Sequence, residues 1–284
     1  MKQKRLFITG GIGFTGVHLI AAAKSQGWEV QDLLGPLEDA AGVAQQLTSF
    51  SPDAVIHLAA ISAVTHGDTN AFYAVNVVGT DNLLKAIQRC EKPPSKIVLA
   101  SSANVYGNSY SGLLSESTVP QPVNHYAISK LAMEHVASLY RDQLPIVITR
   151  CFNYTGIGHD DRFVIPKIIT HFKRKAAAIE LGDLDVEREF NDVRFVVDAY
   201  LKLLDHGVPG EAYNICTGTV VKLRSVIQML ESLSGHNPVI HVNPAFLRAN
   251  EIKVLGGSSE KLQKAIGLVN TYSLRDTLVW MLTG

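Results

Sequence analysis

The sequence predicts an α/β protein, a doubly wound parallel sheet carrying a smaller α/β lobe, and three observations predict it. Short β-branched runs alternate with longer helical stretches through the first half of the chain. A segment with glycines at 10, 13 and 16 follows directly on the first of those runs. After Asn153-Tyr154-Thr155-Gly156 the alternation loosens into a loop of Gly, His and Asp residues, which marks the start of a second lobe.

Each element follows from local pattern. Leu6 to Thr9 reads as a first strand, because its apolar run stops at Thr9-Gly10, well short of a leader's apolar core. Val17 to Lys24 belongs to the helix that the glycines open. Trp28 to Pro52 looks short for a complete second strand, adenosine loop and helix. Ala54 to Ala59, Lys96 to Ala100 and Ile146 to Cys151 read as strands; Phe72 to Cys90 and His125 to Arg141 read as helices, the second ending ahead of Pro145. Strands separated by helices pair in parallel through right-handed crossovers. Further on come a helix from Phe163 to about Lys175, the turn Gly182-Asp183 and a helix over Asp192 to Asp205. Ala212 to Cys216 then returns the chain to the sheet, and helices over Lys222 to Gly235 and Ser258 to Gly267 complete the lobe. The expected division is a first domain over 1–155, rejoined at about 191–217, and a lobe built from 156–190 and 218–284.

Composition narrows the function classes. Lys plus Arg and Asp plus Glu are equal at 26 each and no run of like charge is long, so neither nucleic acid nor a membrane surface is an expected partner. No stretch approaches eighteen apolar residues, the length a spanning helix needs. The three cysteines, Cys90, Cys151 and Cys216, are odd in number and widely spaced, which predicts free thiols and a reducing, cytoplasmic compartment. His57, His66, His159 and His171 lack ligand spacing, so no metal is expected.

The glycine segment has the chemistry of a dinucleotide loop. A tight strand-to-helix turn brings backbone close to a pyrophosphate and aims helix N–H groups at that anion, which makes the sheet Rossmann-type. Gly10, Gly13, Phe14, Thr15 and Gly16 are the candidate cofactor contacts there. Asp32, with Leu33 beside it, is the acid nearest the spacing for ribose recognition, and meets either the ribose or the adenine edge. No Lys or Arg is placed for a 2′-phosphate, so the expectation of NADP(H) over NAD(H) rests on no residue.

Tyr126-Ala127-Ile128-Ser129-Lys130 lies in a helical pattern, and its i, i+4 spacing puts phenol and ammonium on one face. A phenol titrates near 10 in water, and a close cation is what makes it a competent proton donor near neutrality. The strand over Lys96 to Ala100 delivers Ser101 and Ser102 to the carboxyl end of the sheet, where open α/β sheets bind ligands.

Taken together, the glycine loop, the serine after the fourth strand and the Tyr-x-x-x-Lys helix resemble the extended short-chain dehydrogenase/reductase family over nearly the whole chain. The resemblance implies that Tyr126 is the acid/base, that Lys130 holds the nicotinamide ribose and tunes Tyr126, and that Ser102 hydrogen-bonds the reacting oxygen. It also implies cofactor contacts from Leu58, Ala59, Ala60 and Asn76, and a homodimer formed through the helices at Phe72 and His125.

Arg150-Cys151-Phe152-Asn153-Tyr154-Thr155-Gly156 is similar to the RPFNHxGPG segment of nucleotide-sugar members, with Cys151 and Ile157 in place of prolines. Arg162 to Lys167 and Glu180 to Arg188 resemble the GDP-sugar branch, which contains GDP-mannose 4,6-dehydratases and GDP-4-keto-6-deoxy-mannose reductases. The implied substrate contacts are Asn104, Asn153, Val164, Lys167 and Arg188, joined by Arg248 and Glu251 from a segment like that branch's RPxE. A dehydratase needs a carboxyl group beside the sugar, which the dehydratases this chain resembles place two residues after the catalytic Ser or Thr; this chain has Asn104 there, an amide that cannot exchange a proton. The expected activity is therefore reduction of the C4 ketone of a GDP-6-deoxy-4-keto sugar, hexose or heptose, for surface polysaccharide. An epimerase or 4,6-dehydratase of the same family, or a non-catalytic dinucleotide sensor, stays open at this point.

Overall fold

The computed structural model describes residues 3–62, 67–108, 112–247, 253–267 and 272–284. Arg5–Thr9 forms β1, in which Leu6, Phe7 and Ile8 are wholly buried. The chain continues through α1 (Phe14–Ser25), β2 (Glu29–Asp32), α2 (Ala40–Phe50) and β3 (Ala54–His57). α3 (Thr69–Tyr73) passes through a π-helical turn, Ala74–Gly79, into α4 (Thr80–Gln88). β4 (Lys96–Ser102), a 3-10 turn over Ala103–Tyr106, α5 (His125–Ser138) and β5 (Ile146–Cys151) complete the first half.

The second half runs β6 (Tyr154–Thr155), α6 (Val164–Lys173), β7 (Ala178–Leu181), β8 (Glu187–Arg188), β9 (Asn191–Asp192), α7 (Val193–His206) and β10 (Ala212–Ile215). It ends with β11 (Val221–Lys222), α8 (Leu223–Ser234), β12 (Val239–Val242), β13 (Val254–Leu255), α9 (Glu260–Ile266) and α10 (Leu274–Thr283).

The main sheet has six parallel strands in the order β10-β5-β4-β3-β1-β2. All four residues of β3 are buried, as expected where helices cover both faces. One face packs under α1, α7 and α9 through Leu19, Val196, Leu203 and Leu262. The other packs under α2, α4 and α5 through Leu47, Leu83, Ile87 and Met133. Each such aliphatic side chain stabilises the fold by about 1.5–3 kcal/mol relative to exposure. A third core, with Ile168, Phe172, Leu181, Val226, Leu230 and Leu278, holds α6, β7, α8 and α10 together. Two- and three-stranded sheets, β12-β7 and β11-β8-β13, lie in this half.

The segment that looked too short holds both elements. A four-residue β2 and an eleven-residue α2 fit between Trp28 and Pro52, and the chain then goes straight to β3 on the other side of β1. Only β2 lies outside β1, so the sheet follows the 2-1-3-4-5 order of doubly wound folds rather than 3-2-1-4-5-6. The direction of winding switches between β1 and β3, and that switch opens the crevice at the carboxyl ends of the strands. The helix expected over Phe72 to Cys90 is real but carries the π turn, just after which Thr80 Oγ1 donates back to the Asn76 carbonyl at 2.8 Å. Ala212–Ile215 pairs in parallel with β5, so β10 joins the main sheet although β7 and β8, which precede it in the chain, belong to the small sheets. Among the described residues no helix is long and apolar enough to cross a membrane.

Candidate active site

β1 ends in the glycine turn. Gly10 has φ +79°, and a Cβ there would come within 2.8 Å of the Ala59 backbone nitrogen, so side-chain-free backbone is required where the loop meets the strip after β3. A Cβ on Gly16 would strike the Gly10 and Gly11 backbone. Gly13 caps α1 without any side-chain bond, which leaves the first helical N–H groups without a capping side chain. This cradle fits the pyrophosphate of a dinucleotide, with Phe14, Thr15, Leu58, Ala59 and Ala60 half-buried around it. Asp32 ends β2, and its carboxylate accepts the Gly11 N–H at 2.8 Å; burial raises its pKa, opposed by that hydrogen bond. Leu33 is buried in the core beneath.

The strip is braced from behind. Thr80 Oγ1 gives its hydrogen to Asn76 O, so at 2.9 Å it accepts from His57 Nε2, which leaves His57 Nδ1 to accept from Thr9 Oγ1 at 2.6 Å. Thr9 Oγ1 in turn accepts the Ala59 N–H. Burial, aided by the Lys130 charge, drives the His57 pKa down to about 3 and keeps the ring neutral. Asn76 is 1% exposed; its amide donates to Ile61 O at 3.1 Å and Ser129 Oγ at 2.9 Å and accepts the Ile61 N–H. Expected as a cofactor contact, Asn76 is seen here as a bridge between the strip and α5.

Asn124 caps α5 by accepting the Ala127 N–H at 2.9 Å, and thereby fixes Tyr126 in the first turn and Lys130 in the next. Burial pushes the Tyr126 phenol up to about 12, and the neighbouring Ser102 side chain opposes that rise. Lys130 Nζ donates to Ala100 O at 2.7 Å, and burial brings its pKa down to about 8. The fold thus brings together Ser102, Tyr126 and Lys130 at the carboxyl end of β4.

Asn104 follows in the 3-10 turn, its N–H donating to Ser102 Oγ at 3.2 Å. Asn153 has an exposed side chain, and its carbonyl accepts from the Asn191 N–H at 2.9 Å. Val164 and Lys167 lie on α6, where Lys167 Nζ donates to Glu180 O at 2.8 Å and sits 4.2 Å over the Phe246 ring. Arg188 is 9% exposed in β8, with Nη1 bonded to the carbonyls of Glu187 and Lys253. Arg248 and Glu251 lie outside the described residues, as does His66. No three His, Cys, Asp or Glu converge as metal ligands among the described residues.

Two features escaped the pattern reading. Phe14 of the glycine turn stacks on His159 at 4.2 Å and on Tyr154 at 5.9 Å, while Thr15 Oγ1 bonds Tyr154 Oη at 2.7 Å. Glu134 and Arg150 form a buried ion pair at 2.7 Å beside Ser101. Glu134 is four residues beyond Lys130, and that spacing was the legible signal.

A winding switch beside a glycine turn, facing a Ser-Tyr-Lys group, defines a nicotinamide-dinucleotide oxidoreductase of the extended short-chain type. Comparison with known proteins narrows this. The chain belongs to the GDP-mannose 4,6-dehydratase family, whose model matches residues 33–281. It is 35% identical over 269 residues to a GDP-6-deoxy-D-talose 4-dehydrogenase of Aggregatibacter actinomycetemcomitans, covering 93% of this chain and 91% of the relative. It is also 35% identical over 294 residues to a GDP-6-deoxy-D-mannose reductase of Pseudomonas aeruginosa, covering 97% and 95%. The solved structure of RMD from Pseudomonas aeruginosa complexed with NADPH superimposes with a TM-score of 0.91 at 32% identity, over 99% of this chain and 98% of that one.

Proposed function

We propose that the protein reduces the C4 ketone of a GDP-6-deoxy-4-keto sugar, hexose or heptose, to the GDP-6-deoxy sugar. The observation that carries this reading is the convergence at the end of β4 of Ser102 with Tyr126 and Lys130, which stand one turn apart on α5, Lys130 being tied to Ala100 O at 2.7 Å. Both relatives are named for GDP-6-deoxy sugars, one as a reductase and one as a 4-dehydrogenase, which supports the substrate class.

A reduced nicotinamide supplies the hydride when bound. Ser102 donates a hydrogen bond to the ketone oxygen, and Tyr126 hands its proton to that oxygen as negative charge develops there. Lys130, charged at neutral pH, stabilises the phenolate left behind. Asn104 has no proton to exchange, so dehydration at C5 and C6 lacks its acid and base. The segments 156–190 and 218–284 hold the nucleotide sugar through Asn153, Val164, Lys167 and Arg188, with Arg248 and Glu251 added from the sequence.

NADP(H) is the proposed cofactor, supported by the NADPH in the Pseudomonas aeruginosa structure. One observation favours NAD(H) instead: a 2′-phosphate near the Asp32 carboxylate would meet like charge. Free thiols at Cys90, Cys151 and Cys216 support a cytoplasmic location. Exposed Val78 and Ile128, on the π turn and α5, support a homodimer through those helices. The product suits surface polysaccharide, lipopolysaccharide included.

The test is direct. Purified protein with GDP-4-keto-6-deoxy-mannose and NADPH or NADH consumes the nicotinamide absorbance. Turnover of no GDP-4-keto sugar with either cofactor defeats the reading. Stoichiometric dinucleotide retained on purification, with none needed in the assay, indicates an epimerase.

A further inference from the structure

We propose that Glu134 and Arg150 are positioning residues, whose buried ion pair sets the register of α5 on the ends of β4 and β5 so that Tyr126 meets Ser102. The inference rests on the reading of that site as the catalytic one.

Glu134 stands one helical turn beyond Lys130, and both its carboxylate and the Arg150 guanidinium are 9% exposed. Glu134 Oε1 accepts from Ser101 Oγ at 2.5 Å and from Arg150 Nε at 3.1 Å, while Oε2 accepts from Arg150 Nη2 at 2.7 Å. Arg150 Nη1 donates to Tyr106 Oη at 3.1 Å and to Glu116 O at 3.4 Å, and Tyr106 Oη donates to Asn214 Oδ1 at 2.7 Å. Ser101 of β4 and Arg150 of β5 therefore meet on Glu134, and Arg150 extends the chain of hydrogen bonds through Tyr106 of the 3-10 turn to Asn214 of β10.

The geometry on β4 is what makes this a register device. Lys130 holds Ala100 O and Glu134 holds Ser101 Oγ, so two side chains one turn apart grip consecutive β4 residues, and Ser102 is next in line. A helix slip of one residue moves side chains by about 1.5 Å. A misplacement of about 1 Å at a reacting group is enough to cost about a hundredfold in rate. Well-packed apolar residues commonly match a buried ion pair in stability, so stability alone does not account for one at this place.

Among the described residues, Glu134 also differs in charge from the other groups that face Lys130. His57 from β3, Cys151 from β5 and Tyr126 from α5 itself are neutral near pH 7, since burial holds them near 3, 12 and 12 respectively. Glu134 is the anion that supports the Lys130 charge from its own helix.

The experiment compares the full-length wild type with Glu134→Gln, Ser101→Ala and the paired apolar variant Glu134→Met with Arg150→Met. Melting temperature and dinucleotide binding establish that each is folded. The expected result is a kcat about tenfold lower or worse in Glu134→Gln and in the paired variant, with the sugar KM within about threefold. In isotope-labelled lysine NMR, Lys130 titrates at lower pH in Glu134→Gln than in wild type. Wild-type kcat in the folded paired variant, or an unmoved Lys130 titration, overturns the proposal. If Glu134→Gln does not fold, Ser101→Ala decides: unchanged melting with kcat reduced about threefold or more supports it, and wild-type kcat overturns it. A wild type without turnover defeats the functional reading instead, and the Lys130 titration in Ser101→Ala, which keeps the Glu134 charge and needs no substrate, still decides the positioning: a shifted titration supports it and an unmoved one overturns it.

Discussion

Lys130 donates to the carbonyl of Ala100 at 2.7 Å, two residues before Ser102 on the same strand. That bond ties the cation to the end of β4, and burial there brings its pKa down to about 8. The ammonium is charged below that value and neutral above it. Ketone reduction, which needs the charge beside Tyr126, is therefore level near pH 7 and declines as pH rises through about 8. A profile of kcat for reduction from pH 6 to 9.5 checks this, and a rate still rising above pH 9 contradicts it.

Removing the phenol's hydroxyl isolates the proton donor. Tyr126→Phe keeps the ring that packs near Phe72 at 6.3 Å but deletes the acid. The expected loss in kcat is about 10²- to 10⁴-fold, with the dinucleotide Kd changed by about twofold or less. Stopped-flow reduction and fluorescence titration measure the two, and an unchanged rate would remove Tyr126 from the mechanism.

The Asp32 carboxylate, held by the Gly11 N–H at 2.8 Å, places a charge beside the glycine turn proposed to hold the dinucleotide. Asp32→Asn retains an acceptor for the Gly11 N–H and removes the anion. The ratio of kcat/KM for NADPH over NADH is expected to rise about tenfold, equivalent to about 1.4 kcal/mol. An unaltered ratio places the 2′-phosphate away from this carboxylate.

The C-terminal helix depends on another buried acid. Asp192 is 1% exposed; it caps α7 through the Arg194 N–H, pairs with the Arg194 guanidinium at 2.7 Å and accepts from Thr277 Oγ1 on α10 at 2.7 Å. The guanidinium lies between Tyr272 and Trp280, about 4 Å from each ring. Asp192→Ala is expected to destabilise the protein by about 3 kcal/mol, because a cap and a buried charge partner go together. Urea unfolding gives the magnitude, and hydrogen exchange should show α10 opening first.

Period and spacing made much of this legible. The β-branched runs placed β1, β3, β4 and β5 to within a residue or two, and the i, i+4 pair Tyr126 and Lys130 did fall on one helical face. The 28–52 segment misled because its shortness was read as incompleteness, whereas the sheet simply lacks a strand outside β2. Motif position does not reveal that the Asn76 amide bonds Ile61 on the strip and Ser129 on α5, because those partners lie far along the chain. Phe14, His159 and Tyr154 gave no local signal, since their stack joins residues some 140 positions apart.

By itself the sequence determined the class of fold, the glycine turn and the identities of Ser102, Tyr126 and Lys130, since periodicity and backbone sterics act between near neighbours. Tertiary structure alone decided the strand order, the tautomer of His57 and the anchoring of α5 by Glu134 and Arg150. Those depend on burial and on partners from distant segments, and both exist only once the chain has closed on itself.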